Sequence, residues 1–332
     1  MMSGELSING TLILPPRRDA ILTAAGLIRR GGLVAFPTET VYGLGADALQ
    51  GPAVARIFTA KGRPAGRPLI VHVADLEQVE QVVSALPGSA RELIRRFWPG
   101  PLSLVLPRSA ALPGEVSAGL PTVAVRMPAH PVALRLIRSA GVPIAAPSAN
   151  RFGRPSPTRL RHVLQELAGE IDAVIDGGPC PVGVESTVLD LSGARPAILR
   201  PGGISREQLE GALGIEIGEE STGDSPRLPG LHRPRYALRT PLILLIGSRK
   251  RRRAALRSLS TGLRRRGLKI ELLLIPPGPD GAAMAARDLF PELRRLDARG
   301  ADLILAEGIS PGGMGRTVMN RLRRAAGRVI RV

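Results

Sequence analysis

Six short polar loops carry the residues whose types and spacing can do chemistry. They are Pro37-Thr-Glu-Thr-Val-Tyr-Gly43, Lys61-Gly-Arg-Pro64, Arg126-Met-Pro128, Pro147-Ser-Ala-Asn150, Gly183-Val-Glu-Ser-Thr187 and Leu199-Arg-Pro-Gly-Gly203. Each abuts an apolar run that reads as a strand, and open α/β sheets gather their ligands at strand ends. Lys61, Arg63, Arg126 and Arg200 can neutralise a polyphosphate, while Ser148, Asn150 and Thr187 can donate to phosphate oxygens or a base edge. Such a site accelerates a reaction by positioning and electrostatics, with no protein nucleophile. There is no Ser-His-Asp signature and no paired-carboxylate motif, and His72, His130, His162 and His232 lack metal-ligand spacing. Each residue taken singly also has a plain structural reading. Pro37 and Pro147 end strands, Ser148 and Asn150 suit turns or N-caps, Arg126 suits a structural carboxylate, and His72 suits an apolar core.

The elements that must hold these loops alternate helix and strand. Asp19 to Arg30 has apolar residues at helical spacing and stops at Gly31-Gly32, a natural C-cap. Leu33 to Phe36 reads as a strand, Gly51 to Ala60 as a helix, and Leu69 to Val73 as a strand. Helices follow at Leu76 to Leu86 and Ala90 to Phe97. Strands are expected at Leu102 to Leu106, Val123 to Arg126 and Ile144 to Ala146, with a helix from Pro131 to Ala140 between the last two. Val174-Ile175, Ser186 to Leu191 and Ala197 to Arg200 complete the strands, and Ser205 to Leu213 is a closing helix. Residues 1–217 therefore predict an α/β domain on a twisted, open, mixed sheet. Residues 218–240 have no sustained period and read as a linker. Residues 241–332 alternate strands (242–246, 269–275, 302–306, 328–331) with helices (249–265, 281–299, 314–326), which predicts a small Rossmann-like parallel domain. No G-x-G-x-x-G or Walker A motif follows its first strand, and Gly312-Gly-Met-Gly315 reads mainly as a turn.

Composition bounds the rest. The 332 residues suffice for two domains. A single cysteine, Cys180, excludes an internal disulfide and a cysteine metal cage. The chain starts without the basic head and apolar run of a signal peptide and has no apolar stretch of membrane-spanning length, so it reads as cytoplasmic with no membrane partner. The net charge of +18 is uneven: residues 1–224 carry 22 basic and 21 acidic side chains, residues 225–332 carry 24 and 7. A basic second domain points to an anionic partner, with RNA contact the obvious form. The plain alternative is compositional, since Lys61, Lys250 and Lys269 are the only lysines and a GC-rich genome favours arginine.

Taken together the loops resemble one family. Phe36-Pro-Thr-Glu-Thr-Val-Tyr-Gly-Leu-Gly45, Ala60-Lys-Gly-Arg-Pro64, Phe97-Trp-Pro-Gly-Pro-Leu102, Val123-Ala-Val-Arg-Met-Pro128, Ala146-Pro-Ser-Ala-Asn150 and Gly183-Val-Glu-Ser-Thr-Val188 are similar to the motifs of the YrdC/YwlC threonylcarbamoyl-AMP synthases. The resemblance spans about residues 15–214, in order. The second domain looks like the extra domain of the two-domain form, with Met319-Asn-Arg-Leu-Arg-Arg-Ala-Ala326 similar to its final helix.

This resemblance implies that ATP, L-threonine and bicarbonate give L-threonylcarbamoyl-AMP and pyrophosphate, with Mg2+ accompanying ATP. A transferase complex then passes the threonylcarbamoyl group to a tRNA adenosine. It also implies residue roles. Thr40, His72, Arg126, Ala146 and Ser186 form the threonine set, with Arg126 facing the carboxylate. Arg63, Arg67, Thr122, Ser148, Ser156 and Arg200 contact ATP. Lys61 and Asn150 complete the Lys-x-Arg and Ser-x-Asn signature, with Lys61 and Arg63 as the catalytic pair. Arg67 departs from the asparagine usual in the family. The linker keeps Pro229, Gly230, Tyr236 and Ala237 and loses most of the family's segment; Tyr236 is carried over as a nucleotide contact and the linker as a lid. Two other readings stand beside this one. One is a non-catalytic RNA-binding or ribosome-maturation factor. The other is a carbamoyl-transferring hydrogenase-maturation enzyme, disfavoured because one cysteine cannot build its zinc fingers.

Overall fold

A computed structural model describes residues 6–219 and 236–332. They form two compact units: residues 6–152, 156–181 and 185–219 in the first, and 153–155, 182–184 and 236–332 in the second. Most of the expected linker and lid lies outside the described residues, including Pro229 and Gly230.

The first unit is built on a twelve-stranded mixed sheet. Its order is Leu6–Ile8, Thr11–Leu14, Ala173–Ile175, Val34–Phe36, Gly43–Asp47, Ile144–Ala145, Ile70–His72, Thr122–Arg126, Leu102–Pro107, Thr187–Asp190, Ala197–Arg200 and Gly218–Glu219. Nearly every residue of the central strands is buried, as expected of a sheet covered on both faces. One face is lined by Leu33, Leu44, Val71, Leu104 and Val125, and another core cluster joins Ile21, Ile28, Phe36, Leu136, Ile144 and Ile175.

Three parts of this sheet were not expected from the sequence, among them Gly218–Glu219, which was assigned to the linker and instead pairs with Ala197–Arg200. Leu6–Ile8 and Thr11–Leu14 form a hairpin around Asn9-Gly10, both at positive φ (51° and 83°). Asn-Gly is the strongest short hairpin signal, so this element was legible and passed over. Gly43–Asp47 carries no strand pattern in the sequence because of its glycines. It is a strand because they admit close neighbours: a Cβ on Gly45 would stand 2.7 Å from Ile144 Cγ2 and 2.8 Å from Phe36 Cε1. A helix at Leu160–Leu167 was also missed.

The second unit carries a four-stranded, wholly parallel sheet in the order Ile270–Leu273, Leu303–Glu307, Leu242–Ile246, Arg328–Arg331. Its helices are Arg249–Arg265, Gly281–Asp297 and Met314–Ala325, within two residues of the sequence-based expectation at either end. Leu245, Leu256, Ile270 and Leu305 form its core. At the end of the second strand in this order, Glu307 is fully buried; its carboxylate accepts from Ile275 N (3.1 Å) and from Arg253 Nε (3.3 Å). Gly313, expected in a turn, is the N-cap of the last helix at φ 50°. Among the described residues no helix is long and apolar enough to cross a membrane.

Candidate active site

Parallel pairing puts two of the candidate residues side by side. His72 ends Ile70–His72 and Arg126 ends Thr122–Arg126, and the two are direct register partners. The Pro37–Tyr42 loop closes over this strand edge. Thr38 Oγ1 donates to Val41 O (2.7 Å) and accepts from the backbone N–H of Thr40 and Val41, both at 3.2 Å. The Thr38 and Thr40 hydroxyls also stand 2.8 Å apart.

Arg126 is the hub of the loop. It donates to Thr40 Oγ1 (2.9 Å) and to Gly100 O (3.1 Å), and its remaining nitrogen contacts Glu39 Oε1 at 2.6 Å. That last contact is an ion pair out of line for a hydrogen bond. Glu39 Oε2 also accepts from Ala129 N (3.1 Å). Both side chains are more than nine-tenths buried, so a close partner is what makes either charge tolerable. The structural reading of Arg126, a buried carboxylate pair, is therefore realised, and Glu39 is the partner that sequence reasoning did not single out. Residue 39 lies in a quoted motif, but nothing local reveals its pairing with residue 126.

His72 is buried beside this cation. Desolvation, then the Arg126 charge, pull its pKa down to about 3, so it is neutral at physiological pH. Its Nδ1 has no hydrogen-bond partner, and its ring meets Phe36 edge-on at 6.1 Å. Ala146 follows the neighbouring strand, its N–H donating to Ile70 O (2.9 Å).

A second group gathers at the end of Gly51–Lys61. Gly62 caps that helix in the left-handed region (φ 57°), which turns the chain so that Lys61 and Arg63 leave in different directions. Lys61 is buried, and its ammonium donates to the carbonyls of Ser148 and Asn150. Burial, then the nearby Arg63 charge, lower its pKa to about 7. The lysine of the Lys-x-Arg signature thus clamps the backbone of the Ser-x-Asn loop. The same loop is tied to the first group, because Gly43 bridges Ser148 and Ala149 N–H donates to Tyr42 O (2.8 Å).

Arg63 donates to Pro68 O (3.3 Å), and its pKa falls to about 10 through burial and Arg67. Arg67 lies over the Phe152 ring at 4.8 Å. Extending the register of Ile70 with Ala124 sets Pro68 level with Thr122, so Arg63 reaches the start of the strand that Arg126 ends. Thr122 is buried there with no partner for its Oγ1, roughly 13 Å along the strand from Arg126 at the usual rise.

The third group faces the first across the Pro99–Pro101 turn. Gly100 O accepts from Arg126, while Pro101 O accepts from Thr187 N (3.0 Å). Ser186 is buried, with its hydroxyl 2.8 Å from Ser103 Oγ. Arg200 donates to Ser186 O (2.9 and 3.1 Å) and to Ser186 Oγ (3.0 Å). Gly202 makes this approach possible, since a Cβ there would meet Ser186 C and Thr187 N at 2.2 Å. Ser156 donates to Glu185 Oε1 (2.7 Å), and Pro157 O accepts from Tyr42 N (2.8 Å), which returns the circuit to the first loop. Ser103 joins the site without a local sequence signal, and Glu185 lies in the Gly183–Thr187 motif with nothing local to reveal its pairing with Ser156.

The first unit therefore brings together Thr40, Lys61, His72, Arg126, Ala146, Ser148, Asn150, Ser156, Ser186 and Arg200. It sets Arg67 beside Phe152, whose N–H donates to Lys61 O (2.8 Å), and sets Arg63 against Pro68 near the Thr122 strand. Tyr236 belongs to the second unit, where its ring meets Phe290 edge-on at 5.3 Å and Arg324 at 5.5 Å.

Comparison with known proteins matches this frame along its length. The family model described as Telomere recombination covers residues 26–202, and the one described as Threonylcarbamoyl-AMP synthase, C-terminal domain, covers residues 204–327. The threonylcarbamoyl-AMP synthase of Pyrococcus abyssi is 48% identical over 94% of this chain and 96% of its own. That of Bacillus subtilis is 45% identical over 94% of each. The crystal structure of P. abyssi Sua5 complexed with L-threonine superposes with a TM-score of 0.92 at 45% identity, covering 97% of this chain and all of that one. The chain belongs to the threonylcarbamoyl-AMP synthase family.

Proposed function

We propose that this chain joins L-threonine, bicarbonate and ATP into L-threonylcarbamoyl-AMP, releasing pyrophosphate, in the route to threonylcarbamoyladenosine on tRNA. The observation that carries the reading is the buried Arg126 hub beside a neutral His72, in a chain 45% identical to a protein solved with L-threonine. The reading of the chain as a non-catalytic RNA factor gives way to it, because relatives at 39–48% identity over most of the chain bear the synthase name.

In this reading Arg126 takes the threonine carboxylate, a charge-assisted contact that a guanidinium makes well. Thr40 and Ser186 offer hydroxyls to its side chain. Neutral His72 presents an acceptor near the amine without repelling it. The amine loses a proton and its nitrogen bonds to the carbon of bicarbonate or CO2, giving a carbamate; from bicarbonate, water departs. A carbamate oxygen then bonds to the α-phosphorus as the bond to the β-phosphate oxygen breaks, and pyrophosphate leaves. Arg63, Arg67, Ser148, Asn150, Ser156, Arg200 and Thr122 hold the nucleotide. Lys61 acts by fixing the Ser148–Asn150 loop. Mg2+ would enter with ATP, as the ion of the MgATP substrate. A threonylcarbamoyl transferase complex is the consumer of the product.

Purified protein with MgATP, bicarbonate and L-threonine releases pyrophosphate, and omission of either threonine or bicarbonate stops it. Release independent of both would replace the synthase reading with a simple ATP hydrolase.

A further inference from the structure

We infer that the outer face of the helix Arg249–Arg265 in the second unit is an RNA-docking surface, on which its cations meet the phosphate backbone. Arg252, Leu256 and Ser260 recur every four residues and are buried against the unit's own sheet. The opposite face, with Lys250, Arg251, Arg257 and Arg265, is exposed. From Gly247 to Ile270 there are ten basic residues and no acidic one. Among the described residues no carboxylate pairs with those four cations, whereas Arg287, Arg295 and Arg299 of the same unit are each neutralised by a neighbouring carboxylate. Lys250 and Arg257 stand seven residues apart, about 10 Å along the axis, and of the residues between them only Arg251 and Ala254 are exposed.

A GC-rich codon composition would account for arginine in place of lysine but not for the excess of bases over acids. The same gene encodes residues 1–224 at 22 basic to 21 acidic and residues 225–332 at 24 to 7. A membrane surface fits less well than RNA. A helix that lies on lipid inserts an apolar face, and here that face is spent on the protein core. The choice of RNA among phosphate polymers rests on the synthase reading, whose product is bound for tRNA.

The test uses the full chain and an unmodified tRNA transcript, with binding followed by fluorescence anisotropy across a salt series. The wild-type protein binds, and a Lys250→Gln/Arg257→Gln/Arg265→Gln variant binds at least tenfold more weakly, with a log K against log[salt] slope shallower by about 2 to 3. An Arg95→Gln/Arg96→Gln variant, which removes exposed cations from the first unit, retains wild-type binding. Pyrophosphate release without RNA is unchanged in both variants, so the enzyme reading and the docking reading can fail separately. The inference is overturned if wild type does not bind tRNA, if the triple variant keeps its affinity and slope, or if anionic phosphatidylserine vesicles are bound and tRNA is not.

Discussion

Arg126 shows that a structural and a functional reading of one residue need not compete. Its pairing with Glu39 makes a buried cation tolerable, and that same cation is the anchor proposed for a carboxylate substrate. Glu39→Gln leaves Arg126 charged and uncompensated, which should cost roughly 3–5 kcal/mol of stability, read as a lowered urea midpoint. L-Threonine should restore part of this loss, since its carboxylate replaces the missing counter-charge; no recovery at saturating threonine would remove Arg126 from the substrate site. His72 gives a pH prediction. Its folded pKa of about 3 lies below the usual 6.5, so between those values the unfolded chain binds the extra proton. Stability therefore rises with pH across that window and is flat above it for this group, by at most about 1.4 kcal/mol per pH unit. His72→Asn should shallow the acid limb between pH 4 and 6.5 and leave the slope above pH 7 unchanged. The cations and hydroxyls of the site were legible as residue types at strand ends. Glu39, Ser103 and Glu185 were not, because their roles are set by partners brought close only by the sheet, as Ser103 is to Ser186 and Glu39 to Arg126.

At the scale of elements, the long periodic segments were read well and the glycine-rich ones poorly. The helices Arg249–Arg265 and Pro131–Ala140 carry their apolar period openly. Gly43–Asp47 shows no strand pattern, because its fitness for the sheet lies in what the glycines leave out. Gly202 works in the same way. Gly202→Ala must push the Ser186–Thr187 backbone aside, so we expect about 1–3 kcal/mol of destabilisation together with a raised threonine KM. Ser205, three residues on, is the matched control. It closes a capping box with Gln208 at the start of Arg206–Leu213, and Ser205→Ala should cost about 1 kcal/mol with kinetics unchanged. Equal kinetic effects from the two variants would mean that Gly202 acts through global stability alone.

At the scale of the molecule, each unit has its own core, and every residue assigned to threonine lies in the first. Calorimetry should therefore resolve more than a single two-state transition, and L-threonine should raise the first unit's transition by mass action. An equal shift of every transition would show the two units unfolding as one. Sequence patterning reached this level through the charge contrast between the two parts of the chain, visible before any fold. The sheet order of the first unit has a temporal consequence as well. Thr11–Leu14 pairs with Ala173–Ile175, and the site closes only when Arg200 grips Ser186. During synthesis the early hairpin has only its own two strands paired, and Thr11–Leu14 waits for its second neighbour for well over a hundred residues; the binding site cannot exist until about residue 200 has left the ribosome. Refolding should follow the same rule, with helical signal returning early and threonine binding appearing only in the slowest phase, as distant strands find one another.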